Sequence, residues 1–252
     1  MPSPVVYAYA EKSQVADSVA EYIVRRQNEA LAVKDTFEVA VSGGSLVKVL
    51  RNGLLRRLDV KWSQWRIFFS DERIVPLDHE DSNYGLLKQE LLNHLNPRIH
   101  GSPETFTLDD SIEFDADVDE FASKYQELLV STLGEKPVLD LILLGCGPDG
   151  HTCSLFPGHK LLDEHEKLVA GIEDSPKPPP RRITLTKPVL ADAKSIAFVA
   201  EGVGKAPVLK RIFEHPEDQL PSTQVNEIAK SPVAWFVNNP AIEGVEVTRS
   251  SL

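Results

Sequence analysis

The sequence predicts an α/β protein: a parallel sheet flanked by helices on both faces, forming a single domain over residues 1–252. Three observations carry this. Short apolar runs of strand length alternate with longer segments of helical period. Several of those runs end abruptly in glycine-rich or charged turns. The chain is long enough for one large core and does not require two.

Residues 12–32 carry Val15, Val19, Tyr22, Ile23 and Ala30 at helical spacing and predict an amphipathic helix. Phe37–Val41 reads as a strand that runs into Ser42-Gly43-Gly44-Ser45, and residues 46–58 return to helical spacing with Leu46, Val49, Leu50 and Leu54. Arg66–Phe69 reads as a second strand, ending at Ser70-Asp71-Glu72-Arg73. A helix follows over Tyr84–Leu95, with Asp81 or Ser82 as its cap. The acidic stretch 100–115 is expected to be loop, and Val118–Leu133 another amphipathic helix. Leu139–Leu144 is the most apolar short run in the chain and predicts a strand buried on both faces. Residues 174–180 hold four prolines and predict a loop. Ile196–Ala200 reads as a strand followed by Gly202-Val203-Gly204-Lys205 and a helix, and Val233–Val237 as the last strand.

In an open parallel sheet, ligands bind outside the carboxyl ends of the strands. Four of the strands end in unusual turns, so those turns are expected to meet at one site. With 27 Lys plus Arg against 38 Asp plus Glu, the net charge is −11. That opposes binding to nucleic acid or to an anionic membrane. An anionic substrate would need a local basic cluster set against this field. No apolar run is long enough to span a bilayer. The opening Met-Pro-Ser-Pro lacks a basic region followed by an apolar stretch, which predicts no secretory signal. Ser250-Ser251-Leu252 differs from the Ser-Lys-Leu peroxisomal address at its middle residue, so a cytoplasmic location is expected. Cys146 and Cys153 offer neither a disulfide framework nor metal-ligand spacing.

Ser42-Gly43-Gly44-Ser45 can present backbone N–H groups, two hydroxyls and a helix start to a phosphate, although an ordinary tight turn accounts for it equally well. In Asp71-Glu72-Arg73, the carboxylate and the guanidinium at i and i+2 leave a strand in the same direction. The fork of Arg73 suits a phosphate, while a surface ion pair is the commoner use of such a pair. Gly145-Cys146-Gly147-Pro148-Asp149-Gly150-His151 contains G-x-G-x-x-G, but Pro148 and the following residues do not open a long helix, so a dinucleotide is not implied. A buried-strand exit that delivers His151 beside Asp149 points instead to acid–base chemistry near neutral pH. Gly202-Val203-Gly204-Lys205 lacks the rest of a Walker A motif. A lysine in the first turn of a helix opposes the helix dipole unless an anion is near. There is no G-x-S-x-G elbow, and His151, His159 and His165 lack metal-ligand spacing. The expected chemistry is one general base, a water and an anion cradle, without metal or cofactor.

Together these residues resemble the 6-phosphogluconolactonase family, in its eukaryotic branch. The matching pieces are Ser42–Ser45, Asp71-Glu-Arg with Val75-Pro76, Asp81-Ser-Asn-Tyr84, Gly145-x-Gly-x-Asp-Gly-His-Thr-x-Ser-Leu-Phe-Pro-Gly158, Arg182-Ile-Thr-Leu185 and Gly204-Lys-Ala206. They span residues 42–206, and 145–158 is the most specific. Leu46-Val47 departs from the Thr-Pro of many members. The resemblance implies a Rossmann-like fold shared with glucosamine-6-phosphate deaminases. It implies hydrolysis of 6-phospho-D-glucono-1,5-lactone to 6-phosphogluconate without a cofactor. A monomer is expected, although the sequence does not fix the oligomeric state. By position, His151 would be the base that activates water, and Asp71 would orient the sugar or the histidine. Ser42, Gly43, Gly44, Ser45, Arg73, Arg182 and Lys205 would hold the phosphate and nearby sugar oxygens. The basic groups at 181 and 182 leave open which of the two faces the site. A deaminase-like isomerase is the nearest alternative. It resembles Asp-Gly-His-Ile-Ala-Phe-Asn-Glu at this segment, and Phe156 stands here where that family has its carboxylate. A non-catalytic sugar-phosphate-binding protein is the other.

Overall fold

The computed structural model describes residues 3–252; Met1 and Pro2, the start of the opening tetrapeptide and of the expected domain, lie outside the described residues. The strands are β1 (Val5–Tyr9), β2 (Phe37–Val41), β3 (Trp65–Phe69), β4 (Asp71–Arg73), β5 (Glu104–Thr105), β6 (Leu141–Gly145), β7 (Val169–Ile172), β8 (Arg182–Leu185), β9 (Ile196–Ala200), β10 (Ala234–Asn238) and β11 (Arg249–Ser250). The α-helices are α1 (Lys12–Leu31), α2 (Ser45–Leu54), α3 (Asn83–Glu90), α4 (Pro97–His100), α5 (Val118–Leu133), α6 (Lys187–Asp192), α7 (Ala206–Glu214) and α8 (Pro221–Ile228).

Eight strands pair in the order β11-β1-β10-β9-β6-β2-β3-β5, and every pairing in that sheet is parallel. Parallel neighbours need crossovers, and the helices supply them. From β2 the chain winds outward through β3 and β5, then returns and winds the other way through β6, β9 and β10. The reversal lies between β2 and β6, inside the sheet. Along β6, Leu141 and Leu143 pack into one hydrophobic cluster with α1, α2 and α3, while Ile142 and Leu144 pack into another with α5, α6, α7 and α8. The sheet is therefore buried on both faces, as the apolar run at 139–144 predicts.

Local chemistry fixes the helix starts. Glu11 and Gln14 form a capping box at α1. The Ser82 hydroxyl accepts from Gly85 N at α3, and Asp117 accepts from Asp119 N at α5. Several elements differ from expectation. The helix expected over 46–58 ends at Leu54, and that over 84–95 breaks at Leu91 into a 3-10 turn at Leu92–His94. The expected loop 100–115 contains β5. A second sheet, β4-β8-β7, is antiparallel and branches from the end of β3. Alternating strands and helices do not reveal it. No helix of the described residues is long and apolar enough to cross a membrane.

Candidate active site

Strands β9, β6, β2 and β3 are consecutive in the sheet, and each carries one of the four turns at its carboxyl end. The turns enclose a cleft of about 180 Å³ beside the point where the winding reverses. Every residue expected at the site lines it: Ser42, Gly43, Gly44, Ser45, Asp71, Arg73, His151, Arg182 and Lys205. Asn83 joins them.

At the first turn, Gly44 caps α2 with φ 70°, a conformation that favours glycine. A methyl group on Gly43 would sit 1.9 Å from Asn83 Oδ1, so only glycine fits there as well. The exposed Gly44 and Ser45 leave the N-terminus of α2 open to the cleft, while Ser42 Oγ is held 2.6 Å from Ser70 Oγ.

At the second turn, β4 pairs antiparallel with β8, in the register Asp71↔Thr184, Glu72↔Ile183, Arg73↔Arg182. Asp71 and Arg73 both reach the cleft, as their i, i+2 spacing predicts, and they form no ion pair among the described residues. Glu72 points the other way. Buried, it accepts hydrogen bonds from Asn83 N at 2.7 Å and Tyr84 N at 2.8 Å, and so caps α3. Burial pushes its carboxyl up to about 7 against those amide bonds. Asp71 accepts from Ser154 Oγ at 2.8 Å and from Asn83 Nδ2 at 3.4 Å. No hydrogen bond joins it to His151 among the described residues. Arg73 Nη1 donates to the Asp81 carbonyl at 2.9 Å, and its buried Nε has no partner among the described residues. The register also sets two arginines directly opposite each other, an unfavourable cross-strand pair unless an anion lies near. Burial first, and then the charge of Arg73, holds the Arg182 guanidinium below its usual range.

At the third turn, Gly147 N donates to the His151 carbonyl at 2.8 Å, and Gly150 adopts φ 84°. The tight turn brings Asp149 Oδ1 to 2.5 Å from His151 Nδ1. The Phe156 ring stacks on the imidazole at 4.7 Å between centroids. Burial lowers the imidazole below its ordinary value, while the hydrogen bond and charge of Asp149 pull it back up. Partial burial raises the Asp149 carboxyl, but His151 and Lys177 outweigh that and bring it down to about 2. With an ionised carboxylate on Nδ1, the proton of the neutral imidazole belongs on Nδ1. Nε2, with no hydrogen-bond partner among the described residues, is then the basic nitrogen.

At the fourth turn, Gly202 has φ 94° and its N–H donates to Asn238 Oδ1 at 2.8 Å. Lys205 caps α7, and its half-buried Nζ donates to the Cys146 carbonyl at 2.5 Å. Burial pushes the Cys146 thiol up to about 11 and raises Cys153 as well, so neither is a ready nucleophile.

The two arginines after the proline loop separate cleanly. Arg181 donates to the carbonyls of Phe114 and Ala116, away from the cleft. Arg182 is buried at the cleft wall. Its Nε donates to the Pro179 carbonyl at 2.9 Å, Nη2 to those of Lys177 and Pro178, and Nη1 to Ser154 Oγ at 3.4 Å. One of its five N–H groups remains for a ligand. Sequence reasoning missed Lys177, whose Nζ lies 3.1 Å from Asp149 Oδ1. No local signal marks it, because its partner is 28 residues away. Asn83 and Ser154 had a signal, since both fall inside the motifs that carry the family resemblance.

The family model for glucosamine-6-phosphate isomerases/6-phosphogluconolactonase matches residues 10–235. The chain is 45% identical over 250 residues to 6-phosphogluconolactonase 3 of Saccharomyces cerevisiae, covering 96% of this chain and 97% of that one. It is 41% identical over 246 residues to 6-phosphogluconolactonase of Rattus norvegicus, covering 95% and 93%. The structure of 6-phosphogluconolactonase from Trypanosoma brucei superposes with a TM-score of 0.79 at 25% identity, covering 98% of this chain and all of that one.

Proposed function

This chain belongs to the glucosamine-6-phosphate isomerase/6-phosphogluconolactonase family, and we infer that it hydrolyses 6-phospho-D-glucono-1,5-lactone to 6-phosphogluconate in the oxidative pentose phosphate pathway. The observation that carries the mechanism is the Asp149–His151 pair facing a cationic wall in a chain of net charge −11.

His151 Nε2 takes a proton from water as its oxygen bonds to C1 of the lactone. The C1–ring oxygen bond then breaks, and the departing ring oxygen receives that proton from His151. Asp149 holds the imidazole in the tautomer that leaves Nε2 basic and stabilises the imidazolium between the two transfers. The lactone is already an activated ester, so a base and correct placement suffice. The phosphate lies against the N-terminus of α2, with the N–H groups of Gly43, Gly44 and Ser45 and the hydroxyls of Ser42 and Ser45. Arg73 and Lys205 supply its charge partners, and Arg182 adds its remaining N–H. The facing pair Arg73 and Arg182 supports this, since an anion between them turns repulsion into attraction. Asp71 orients sugar hydroxyls; its ties to Ser154 and Asn83 rather than to the imidazole support that role.

We propose a monomer as the working unit. Two buried free thiols fit the reducing cytosol, where we place the protein. A deaminase reading is disfavoured by Phe156, an apolar ring stacked on the imidazole where ring opening and amine transfer would want a carboxylate. A sugar-phosphate binder without turnover has no use for the short Asp149–His151 bond.

The test is turnover of fresh lactone, coupled to 6-phosphogluconate dehydrogenase and corrected for spontaneous hydrolysis. His151→Asn keeps a polar group of similar reach but cannot take the proton. It should lower kcat by ~10²–10⁴-fold with the substrate still bound. Normal kcat in that variant removes His151 from the mechanism. Ammonia release from glucosamine-6-phosphate at a comparable rate would favour the isomerase instead.

A further inference from the structure

We propose that Lys177 is a positioning residue of this hydrolysis: held by the proline-rich strap, it shares the Asp149 carboxylate with His151 and limits how firmly that carboxylate retains a proton on the imidazole. The proposal rests on the lactonase reading above.

Three groups converge on one oxygen. Asp149 Oδ1 lies 2.5 Å from His151 Nδ1 and 3.1 Å from Lys177 Nζ. Nζ and Nδ1 are themselves 3.1 Å apart. An ammonium only donates, and Nδ1 donates to the carboxylate, so both point their hydrogens at Oδ1. Two donors this close are tolerated only because they share an anionic acceptor.

The strap is built to hold Lys177 there. Lys177 N donates to Ser175 Oγ at 3.3 Å, and Ser175 Oγ donates to the Lys177 carbonyl at 2.9 Å. Prolines 178 and 179 have no N–H, so the strap offers its partners carbonyl groups. The buried Arg182 gathers three of them, on Lys177, Pro178 and Pro179. At the far end, Asp174 meets His159 Nε2 at 3.0 Å. Arg182 thus joins two parts of the site: one side of it faces the cleft, and the other fixes the backbone that carries Lys177.

The charge balance around His151 gives the arrangement its purpose. Asp149 on its own turn and Asp71 on β4 favour the imidazolium, and Lys177 on the strap opposes it; Lys205 and Arg182 line the same cleft. Burial already lowers the imidazole, and the Asp149 carboxylate at 2.5 Å pulls it back up, toward a protonated ring that could not accept a proton from water. The ammonium takes part of that carboxylate's charge and so adds to burial in keeping the base unprotonated, while Asp149 still orients it.

The experiment follows the His151 ring proton by NMR titration in the full chain, beside the pH profile of kcat/KM for the lactone. Wild type, Lys177→Met and Lys177→Arg are compared. In Lys177→Met the His151 titration and the acid limb of the profile should both move up by about one unit, the low end of the effect of a nearby charge, because Lys177 is part-exposed. Activity should fall on the acid side and recover at higher pH, with KM little changed. Lys177→Arg should titrate as wild type. An unmoved His151 titration in Lys177→Met overturns the proposal, and so does an equal loss of activity at every pH. If wild type fails to turn over the lactone at all, the lactonase reading fails, and the titration still reports on Lys177.

Discussion

Replacing Asp149 with asparagine removes the charge 2.5 Å from His151 Nδ1 while leaving a side chain of the same shape. The turn itself should survive, because Gly147 N–His151 O and the φ of Gly150 maintain it. A hydrogen bond to a charged group contributes about 1.5–3 kcal/mol. The Asp149 side chain is 37% exposed, so water and salt screen it and the lower part of that range applies. About 1.5–2 kcal/mol corresponds to a loss of roughly 10–30-fold in kcat/KM. The direction of the pH effect follows from the same charge. The carboxylate stabilises the imidazolium, so without it protonation requires more acid, and the acid limb should move to lower pH. That is opposite to the shift expected for Lys177→Met. Stability gives a second reading. The folded carboxyl, at about 2, lies below its ordinary value, so its contribution is present above that value and is lost as pH falls through the folded one. Any difference between wild type and Asp149→Asn in urea should therefore be present at pH 7 and vanish between about pH 4 and pH 2. The assay is the coupled dehydrogenase reaction across pH, with spontaneous hydrolysis subtracted. A variant within twofold of wild type, with its acid limb unmoved, refutes the role given to Asp149.

Two further outcomes probe the phosphate end. Arg73→Ala or Lys205→Ala removes a charge-assisted bond of roughly 1.5–3 kcal/mol and should raise KM for the phosphorylated lactone by about tenfold or more. The unphosphorylated glucono-lactone should be affected far less, and equal losses on both substrates would reject the assignment. Gly43→Ala places a methyl where Asn83 Oδ1 now lies, and over-packing of this kind costs about 1–3 kcal/mol. A lower urea midpoint together with a higher KM is expected, and a stable, fully active Gly43→Ala would show that the close approach is not needed.

The sheet was legible where the chemistry of burial is strong. Leu139–Leu144 is apolar at nearly every position because both of its faces are covered, and its Gly145 exit marks where it stops. The convergence of the four turns was legible too, since parallel strands all present their carboxyl ends at one edge of the sheet. The small antiparallel sheet was not. Strand β4 has three residues and β8 four, too short for a period to declare itself, and Arg182-Ile-Thr-Leu185 reads as a motif before it reads as a strand. The division of labour among basic groups was also hidden. Arg181 and Arg182 are neighbours in sequence, yet one serves loop carbonyls and the other the cleft, a difference set by β8 pairing and not by composition. Lys177 was invisible for a related reason: in sequence it is one solvated cation among prolines, and only the folded strap brings it to Asp149.

The four turns stand on strands β9, β6, β2 and β3, which are adjacent in the sheet. Neighbouring strands lie about 4.8 Å apart because main-chain hydrogen bonds set that distance, whatever side chains are attached. The spacing between base and anion cradle is therefore written in the backbone. Substitutions along the crossovers can accumulate, and loops such as 107–113 can change length, without moving the reacting groups relative to one another. What selection must guard is narrow: the glycines that let the turns close and a handful of side chains at their tips. Such a site can drift far in sequence while its working geometry is inherited almost unchanged.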